Sequence, residues 1–127
     1  MTTAQTPIGI NLHTRSRELT LTYADGETFS LPCEYLRVYS PSAEVMGHGP
    51  GQEVLQTGKM RVNIQAINPV GNYALQLVFD DGHDTGLYSW DYLYTLCTEQ
   101  DKKWQAYLDR LTAAGATRDP DVQVLNL

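Results

Sequence analysis

Residues 79–96, FDDGHDTGLYSWDYLYTL, decide how this chain folds. The segment joins the end of an apolar strand to an Asp-Asp-Gly turn, a short strand at residues 84–87, and a helix that begins at Ser89 or Trp90. The pair Asp81-Gly82 suits a two-residue hairpin turn, because glycine has no Cβ to clash at positive φ and aspartate tolerates the same region. The segment therefore predicts a β-hairpin that leads into a helix.

A similar pattern lies earlier in the chain. Residues 23–36, YADGETFSLPCEYL, align with residues 79–93 when one residue is inserted in the later copy. Either a structural repeat or the shared turn chemistry of hairpin-helix units explains the match. Both predict an α+β fold: two β-hairpin-helix units form a small, mainly antiparallel sheet, and a longer C-terminal helix packs on it.

The composition is that of one globular domain. The chain has 127 residues, of which 42% are hydrophobic and 19% charged. These values suit one hydrophobic core and argue against wholesale disorder. We expect a single domain over residues 1–127 with its core at residues 8–114, and flexible or docking tails at residues 1–7 and 118–127.

The charge balance and the two cysteines limit the partners and the compartment. Nine Lys and Arg stand against fifteen Asp and Glu, which gives a net charge of −6. Without a basic stripe, this surface repels a phosphate backbone, so we expect no nucleic-acid partner. No export signal or membrane-spanning run is visible, which predicts a cytoplasmic protein with no membrane partner. There, Cys33 and Cys97 are expected to be reduced thiols.

The other elements follow from hydrophobic periodicity and from helix-end signals. Pro32 suits the first turn of a short helix at residues 34–39, and Ser89 is a plausible N-cap. From Trp90 the helical pattern continues to residue 114, where Gly115 ends it. Alternating apolar residues predict strands at residues 8–12, 18–24, 28–31, 60–66 and 73–79, with a break at 68–72.

Residues 40–59 form the least regular stretch. Its glycines and prolines predict a loop with one turn around residues 43–46, and loops this long usually serve a function or are disordered. Residues 47–51, GHGPG, lack the helix start, Lys and Ser or Thr of a phosphate-binding loop. His48 is then either an exposed loop residue or a ligand.

Several residues could be catalytic or metal-binding, and each also has a purely structural interpretation. Cys33 lies near a helix start that could lower its pKa, or it is a buried structural thiol. Asp80, Asp81 and Asp84 could act as paired carboxylates, although acids are common in tight turns. With His83, and with His48 from the loop, Asp81 and Asp84 could bind iron or zinc.

Longer motifs carry a family resemblance. They are Leu36-Arg37-x-x-Ser40-Pro41-Ser42-Ala43-Glu44-Val45, Gly47-His48-Gly49, Ile67-x-Pro69-Val70-Gly71-Asn72-Tyr73, and Phe79-Asp80-Asp81-Gly82-His83-x-x-Gly86-Leu87-Tyr88-Ser89-Trp90. Through them, residues 8–112 resemble a bacterial family of small proteins, the domain of unknown function 971. That family is similar to the N-terminal domain of γ-butyrobetaine hydroxylase.

The resemblance implies a zinc site that this sequence has altered. In the hydroxylase domain, three cysteines after a Leu-Arg pair and one histidine hold a structural zinc. Here Ser40, Ser42 and Val45 stand at the cysteine positions and His83 at the histidine position. Neutral hydroxyls do not replace thiolates as zinc ligands. The resemblance includes no oxygenase domain, so hydroxylation is not expected.

Related domains are also appended to P-loop carriers that deliver iron-sulfur clusters, which implies an accessory role near metal-cofactor assembly. We therefore expect a non-catalytic domain that binds an unidentified protein partner, and neither an enzyme nor a cofactor protein. The residues expected at the contact are Arg37, Ser40, Ser42, Glu44, His48, Tyr88 and Trp90. The alternative is a domain that binds iron or zinc through His83 with Asp81, Asp84 or His48.

Overall fold

The structure is a computed structural model and describes residues 5–122. The predicted tails extend beyond these residues at both ends. The predicted α+β fold is confirmed. In chain order the elements are β1 (Gly9–His13), β2 (Glu18–Thr22), β3 (Thr28–Pro32), α1 (Cys33–Val38), α2 (Ala43–Met46), β4 (Ile64–Val70), β5 (Ala74–Phe79), β6 (Leu87–Ser89), α3 (Trp90–Thr98) and α4 (Gln100–Ala114).

The strands form two antiparallel sheets of three strands each. The order is β1-β2-β3 in the first and β4-β5-β6 in the second. In the first sheet, Leu19 pairs with Leu31, and both side chains are fully buried. In the second, Leu77 and Phe79 of the central strand β5 are also buried. Each sheet thus turns one face toward a common core, and each leads directly into a helix.

The two Asp-Gly turns have the same hydrogen bonds. In the first, the Tyr23 amide donates to the Glu27 carbonyl at 2.9 Å, and the Gly26 amide donates to the Tyr23 carbonyl at 3.0 Å. The Oδ1 atom of Asp25 accepts the Glu27 amide at 3.0 Å. The second turn repeats all three bonds, and the two glycines have φ angles of 89° and 88°. The equivalent residues are Phe79, Asp81, Gly82 and His83. The similarity between the two segments thus extends to the backbone.

Two strand predictions were wrong in their bounds. β4 begins at Ile64 and continues through Val70, beyond the predicted break. Pro69 is tolerated there because β4 is an edge strand, where a missing amide donor costs no ladder bond. The strand predicted at residues 84–87 lies instead at Leu87–Ser89. Before it, the carbonyl of Asp84 accepts the side-chain amide of Gln76 at 2.9 Å, not a backbone ladder bond.

The predicted C-terminal helix is two helices that meet at Glu99, whose φ and ψ are −109° and 22°. Just before the break, the Thr98 hydroxyl donates to the Tyr94 carbonyl at 3.1 Å, a back-bond that often bends helices. The predicted N-cap is confirmed, since Ser89 Oγ accepts the Tyr92 amide at 3.2 Å. Gly115 ends α4 in the left-handed conformation, as predicted.

The helix after Pro32 begins at Cys33, one residue before the predicted start at residue 34. Pro32 is the last residue of β3 and the N-cap of α1, with φ and ψ of −60° and 143°. The helix itself begins at Cys33, and all six of its residues are buried. α1 is therefore an interior helix, which fixes the position of the loop that follows it.

Buried tyrosine hydroxyls join the two hairpin-helix units. Tyr35 of α1 donates to the Leu96 carbonyl of α3 at 2.8 Å. Tyr88 of β6 donates to the Leu36 carbonyl of α1 at 2.5 Å. A tyrosine in a core usually finds such a partner, because an unpaired buried hydroxyl is costly. These bonds hold α1 between the second sheet and α3.

The segment after α4 returns to the domain. The amides of Gly58 and Met60 donate to the carbonyls of Thr117 and Arg118, each at 3.0 Å. The Arg118 guanidinium then makes two bonds to the Glu34 carboxylate, at 2.8 and 2.7 Å. The described part of this segment is therefore docked. Across residues 5–122, no helix has the length and apolar character needed to cross a membrane.

Candidate functional site

A buried histidine and two serines meet where the two units contact each other. His83 lies in the turn between β5 and β6, and Ser40 and Ser42 follow α1. The Nε2 atom of His83 is 2.7 Å from Ser40 Oγ and 3.4 Å from Ser42 Oγ. All three residues are buried. We call Ser40, Ser42 and His83 the serine-histidine cluster.

Local backbone geometry holds the cluster in place. The Ser40 amide donates to the Arg37 carbonyl at 3.3 Å as α1 ends, and the Ser42 amide donates to Ser40 Oγ at 3.3 Å. On the other side, Gly86 packs closely against Ser40. A Cβ on Gly86 would lie 2.5 Å from Ser40 Oγ, closer than real Cβ contacts allow. Only glycine fits at residue 86 without displacing the serine.

The other ring nitrogen of His83 is buried without a hydrogen-bond partner. Nδ1 lies 3.4 Å from Oε2 of Glu44, whose side chain is 65% exposed. Burial lowers the pKa of His83 below 6.5, and the positive charge of Arg37 lowers it further. Glu44 and Asp81 oppose this shift without reversing it. The imidazole is therefore neutral near pH 7.

Asp81 forms two ion pairs. Its Oδ2 atom accepts Arg37 Nε at 2.8 Å and Lys59 Nζ at 2.6 Å. Burial alone would raise its pKa, but the bonds to Lys59 and Arg37 outweigh burial and lower it. The Oδ1 atom accepts the His83 amide at 3.2 Å. Asp81 thus positions the His83 backbone and does not bind its imidazole.

The order Ser40, His83, Glu44 follows that of a serine nucleophile, its base and an orienting acid. Ser40 is fully buried, however, and Gly86 packs directly against its hydroxyl. A nucleophile must reach its substrate, so this arrangement does not suit attack. The Cys33 thiol is no better placed, because burial raises its pKa to about 11. Both cysteines are free and buried.

The predicted metal ligands do not gather into one site. Asp84 and His48 are exposed, and only the backbone carbonyl of Asp84 forms a described bond. In the described range 5–122, no three His, Cys, Asp or Glu residues are placed to hold an ion. Ser40 and Ser42 do lie beside His83, but their hydroxyls are poor zinc ligands. The residues therefore do not fit a thiolate zinc site.

The residues predicted to contact a partner divide into two groups. Glu44 and His48 are exposed, while Trp90 is half-buried and donates its indole N–H to the Asn72 carbonyl at 2.8 Å. The other predicted contact residues are buried, and they are Arg37, Ser40, Ser42 and Tyr88. The buried group stabilises the contact between the units, so a partner in this conformation reaches other residues.

A groove that the sequence reasoning missed lies next to the cluster. It has a volume of about 370 Å³ and runs between α2 and the helices α3 and α4. The Val54 amide donates to the Val45 carbonyl at 2.8 Å, which folds the glycine-rich loop over α2. Met46 is 42% exposed at the groove. We call this the α2 groove, and its lining residues are Val38, Tyr39, Val45, Met46, Glu53, Tyr92, Lys103 and Arg110.

One signal in the sequence pointed to this groove. Lys103 and Arg110 are seven residues apart on α4, which places them on one face of the helix two turns apart. Hydrophobic periodicity does not predict the path of residues 47–54. That path brings Met46 opposite the face of α4 that carries Lys103 and Arg110.

Comparison with known proteins places the chain in a family. Residues 10–94 match the family described as "Gamma-butyrobetaine hydroxylase-like, N-terminal". No curated protein matches the chain.

The solved structures that are similar to it include the following three. Two are NMR solution structures. One is 51% identical, with 98% of each chain covered and a TM-score of 0.83. The other is 53% identical, covers 100% of this chain and 96% of that one, and has a TM-score of 0.78. The third is a crystal structure of a DUF971-family protein of unknown function from Acidithiobacillus ferrooxidans. It is 40% identical, covers 73% of this chain and 93% of that one, and has a TM-score of 0.61.

Proposed function

The chain belongs to the gamma-butyrobetaine hydroxylase-like N-terminal family, and we propose that it acts as a non-catalytic accessory domain that binds a protein partner. The observation that carries the proposal is the α2 groove, a hollow lined by apolar and charged side chains that include the exposed Met46. Methionine is common at surfaces that receive a partner, because its flexible thioether adapts to different shapes.

The burial of Ser40, Cys33 and Cys97 supports the non-catalytic part of the proposal. In residues 5–122, the arrangement nearest to a catalytic relay places its serine at 0% exposure. Its histidine is used to join the two hairpin-helix units. The cluster is best explained as a buried structural contact, in which Nε2 of His83 and the two serine hydroxyls hold one another.

The groove is suited to a protein segment more than to a small metabolite. It lies open between the loop and two helices, and a second hollow, lined by residues 46–50 and Glu53, continues from it across the glycine-rich loop. The two hollows share Met46 and Glu53. Together they form an extended track, which suits an extended or helical segment of another protein.

We place the partner near metal-cofactor assembly on the strength of the family resemblance. Domains similar to this one are appended to P-loop carriers of iron-sulfur clusters. An accessory domain of this type would bring such a carrier to its client, or hold a client near a carrier. Mass spectrometry of co-purified proteins identifies the partner directly.

The test is a pull-down with three baits: the unaltered protein, Met46→Glu in the groove, and Ile8→Glu as a control. Ile8 is 70% exposed and precedes β1, so it matches Met46 as an exposed apolar residue at another site. We expect a reproducible partner with the unaltered and Ile8→Glu baits and a loss of at least about fivefold with Met46→Glu. Recovery of no partner above background contradicts the proposal.

Metal binding at His83 is the alternative, and one observation favours it. The buried Nδ1 atom has no hydrogen-bond partner and faces the Glu44 carboxylate at 3.4 Å. Nitrogen and carboxylate ligands suit zinc or iron. Elemental analysis of protein purified without an affinity tag, compared with His83→Ala, tests this alternative. Near-zero metal in both proteins rejects it, whereas one ion per chain that is lost in the variant supports it.

A further inference from the structure

The charged residues around the α2 groove indicate which kind of protein segment can bind in it. Lys103 and Arg110 line the side formed by α4, and neither forms an ion pair with any residue in the described range 5–122. By contrast, Arg37, Lys59, Arg61 and Arg118 all pair with carboxylates. Arg15, Arg17 and Lys102 also lack an ion pair within residues 5–122, so what marks Lys103 and Arg110 is that both line one groove beside Val45 and Met46.

The Tyr39 ring holds the Lys103 side chain toward the groove. The Lys103 ammonium lies 5.3 Å from the centre of the Tyr39 ring, and the Tyr39 hydroxyl donates to the Lys103 carbonyl at 2.6 Å. The guanidinium of Arg110 lies near the same hydroxyl and partly offsets the rise in its pKa that burial causes. The positive charge of Lys103 is therefore positioned before a partner arrives, which lowers the entropy cost of binding.

Resting on the proposed function, we infer that the α2 groove binds an acidic, apolar segment of another protein. Carboxylates of the segment pair with Lys103 and Arg110, and an aliphatic or aromatic side chain packs on Met46. The carboxylate of Glu53 on the opposite side disfavours a second acid there. The segment thus carries its acids on one side and its apolar residues on the other.

Three labelled twelve-residue peptides test the inference by fluorescence anisotropy. The first contains Asp and Glu interspersed with Leu. The second has Lys and Arg in place of the acids, and the third has Ser in place of every Leu. We expect only the first to bind measurably, with an affinity that falls as salt is raised, because salt screens exposed charges. Equal binding of the acidic and basic peptides, or no binding of any peptide, overturns the inference.

Two adjacent lysines on α4 provide a matched control. Lys103 lines the groove, whereas Lys102 is exposed outside it. Both Lys103→Glu and Lys102→Glu change the net charge by the same amount. We expect Lys103→Glu to weaken the acidic peptide about tenfold and Lys102→Glu to change it less than about twofold. Equal weakening by both would mean general charge attraction and would overturn the inference. A ¹⁵N–¹H spectrum of each variant verifies the fold.

The peptide experiment tests the chemistry of the groove, and the pull-down tests the accessory role, so either proposal can be rejected without the other. A native partner that Met46→Glu loses, together with no binding of the acidic peptide, leaves the proposed function standing and rejects this chemistry. Selective peptide binding with no native partner shows that the groove has this chemistry but rejects the accessory role. Each result therefore decides one of the two proposals.

Discussion

The hydroxyl of Ser40 lies 2.7 Å from Nε2 of His83, so residues 43 positions apart share one fully buried hydrogen bond. Ser40 Oγ accepts the Ser42 amide at 3.3 Å and can still donate or accept one more bond, and the Glu44 carboxylate beside Nδ1 favours the tautomer in which Ser40 donates to Nε2. A neutral ring that accepts at Nε2 keeps its proton on Nδ1. That proton faces the carboxylate of Glu44.

Replacement of Ser40 by alanine should destabilise the protein by about 1–3 kcal/mol, because the buried Nε2 atom of His83 loses its nearest partner. Urea unfolding monitored by tryptophan fluorescence measures the change. Ser42→Ala is the matched control, since Ser42 Oγ is 3.4 Å from Nε2 and makes the weaker contact. A loss in Ser42→Ala as large as that in Ser40→Ala contradicts this ranking.

Stability should fall as the pH drops from about 6.5 toward 5, because His83 has a pKa below 6.5 in the folded state. Over this interval the unfolded chain takes up a proton that the folded protein does not. The free energy of unfolding therefore falls by up to about 1.4 kcal/mol for each pH unit. His83→Gln should flatten this part of the profile, while His48→Gln, at an exposed position, should not. Asp81, whose pKa is lowered from 3.8, contributes only at more acidic pH. Parallel profiles for the unaltered protein and His83→Gln would disprove the assignment.

Gly86→Ala should destabilise the fold by about 1–3 kcal/mol through overpacking. The added methyl would lie 2.5 Å from Ser40 Oγ and 3.0 Å from the Tyr88 ring. Gly49→Ala is the control, because no atom lies within 4 Å of its Cβ position. Thermal unfolding followed by circular dichroism compares the two. A similar melting temperature for both variants would show that the second unit has more room around Ser40 than the contacts indicate.

Arg118→Ala should cost about 1–3 kcal/mol, because it leaves the buried Glu34 carboxylate without two charge-assisted bonds. Arg61→Ala provides the comparison. Arg61 pairs with Asp119 and Asp121, but its side chain is 46% exposed, so its loss should cost less than about 1 kcal/mol. Chemical unfolding of both variants measures the difference, and an equal loss would mean that burial of Glu34 adds nothing.

Local chemistry made much of the fold predictable. The turn at Asp81-Gly82, the N-cap at Ser89 and the helix end at Gly115 each follow from what one or two residues can do. The break at Glu99 follows a hydroxyl bond from Thr98 to the Tyr94 carbonyl, and the register of β6 depends on its pairing with Ala74–Gln76 of β5. Periodicity carries no information about either.

The site was harder to predict than the fold. The motif correspondence aligned Ser40, Ser42 and His83 with zinc-site positions but left open whether they meet in space, because no spacing rule links residues in a loop and a turn so far apart. The predicted ligands Asp81 and Asp84 were close in sequence but have other roles in space. The α2 groove needs the path of the glycine-rich loop, which flexible glycine torsions leave undetermined.

The tyrosine bonds between the two units have a consequence for folding kinetics. The first sheet and α1 contain their strand partners within residues 9–38, and short closures of this kind form quickly. During synthesis this unit emerges first, but the carbonyl that Tyr35 needs belongs to Leu96. The first hairpin-helix unit therefore cannot complete this hydrogen bond until the second unit has formed. We expect docking of the two units, not strand pairing, to set the folding rate.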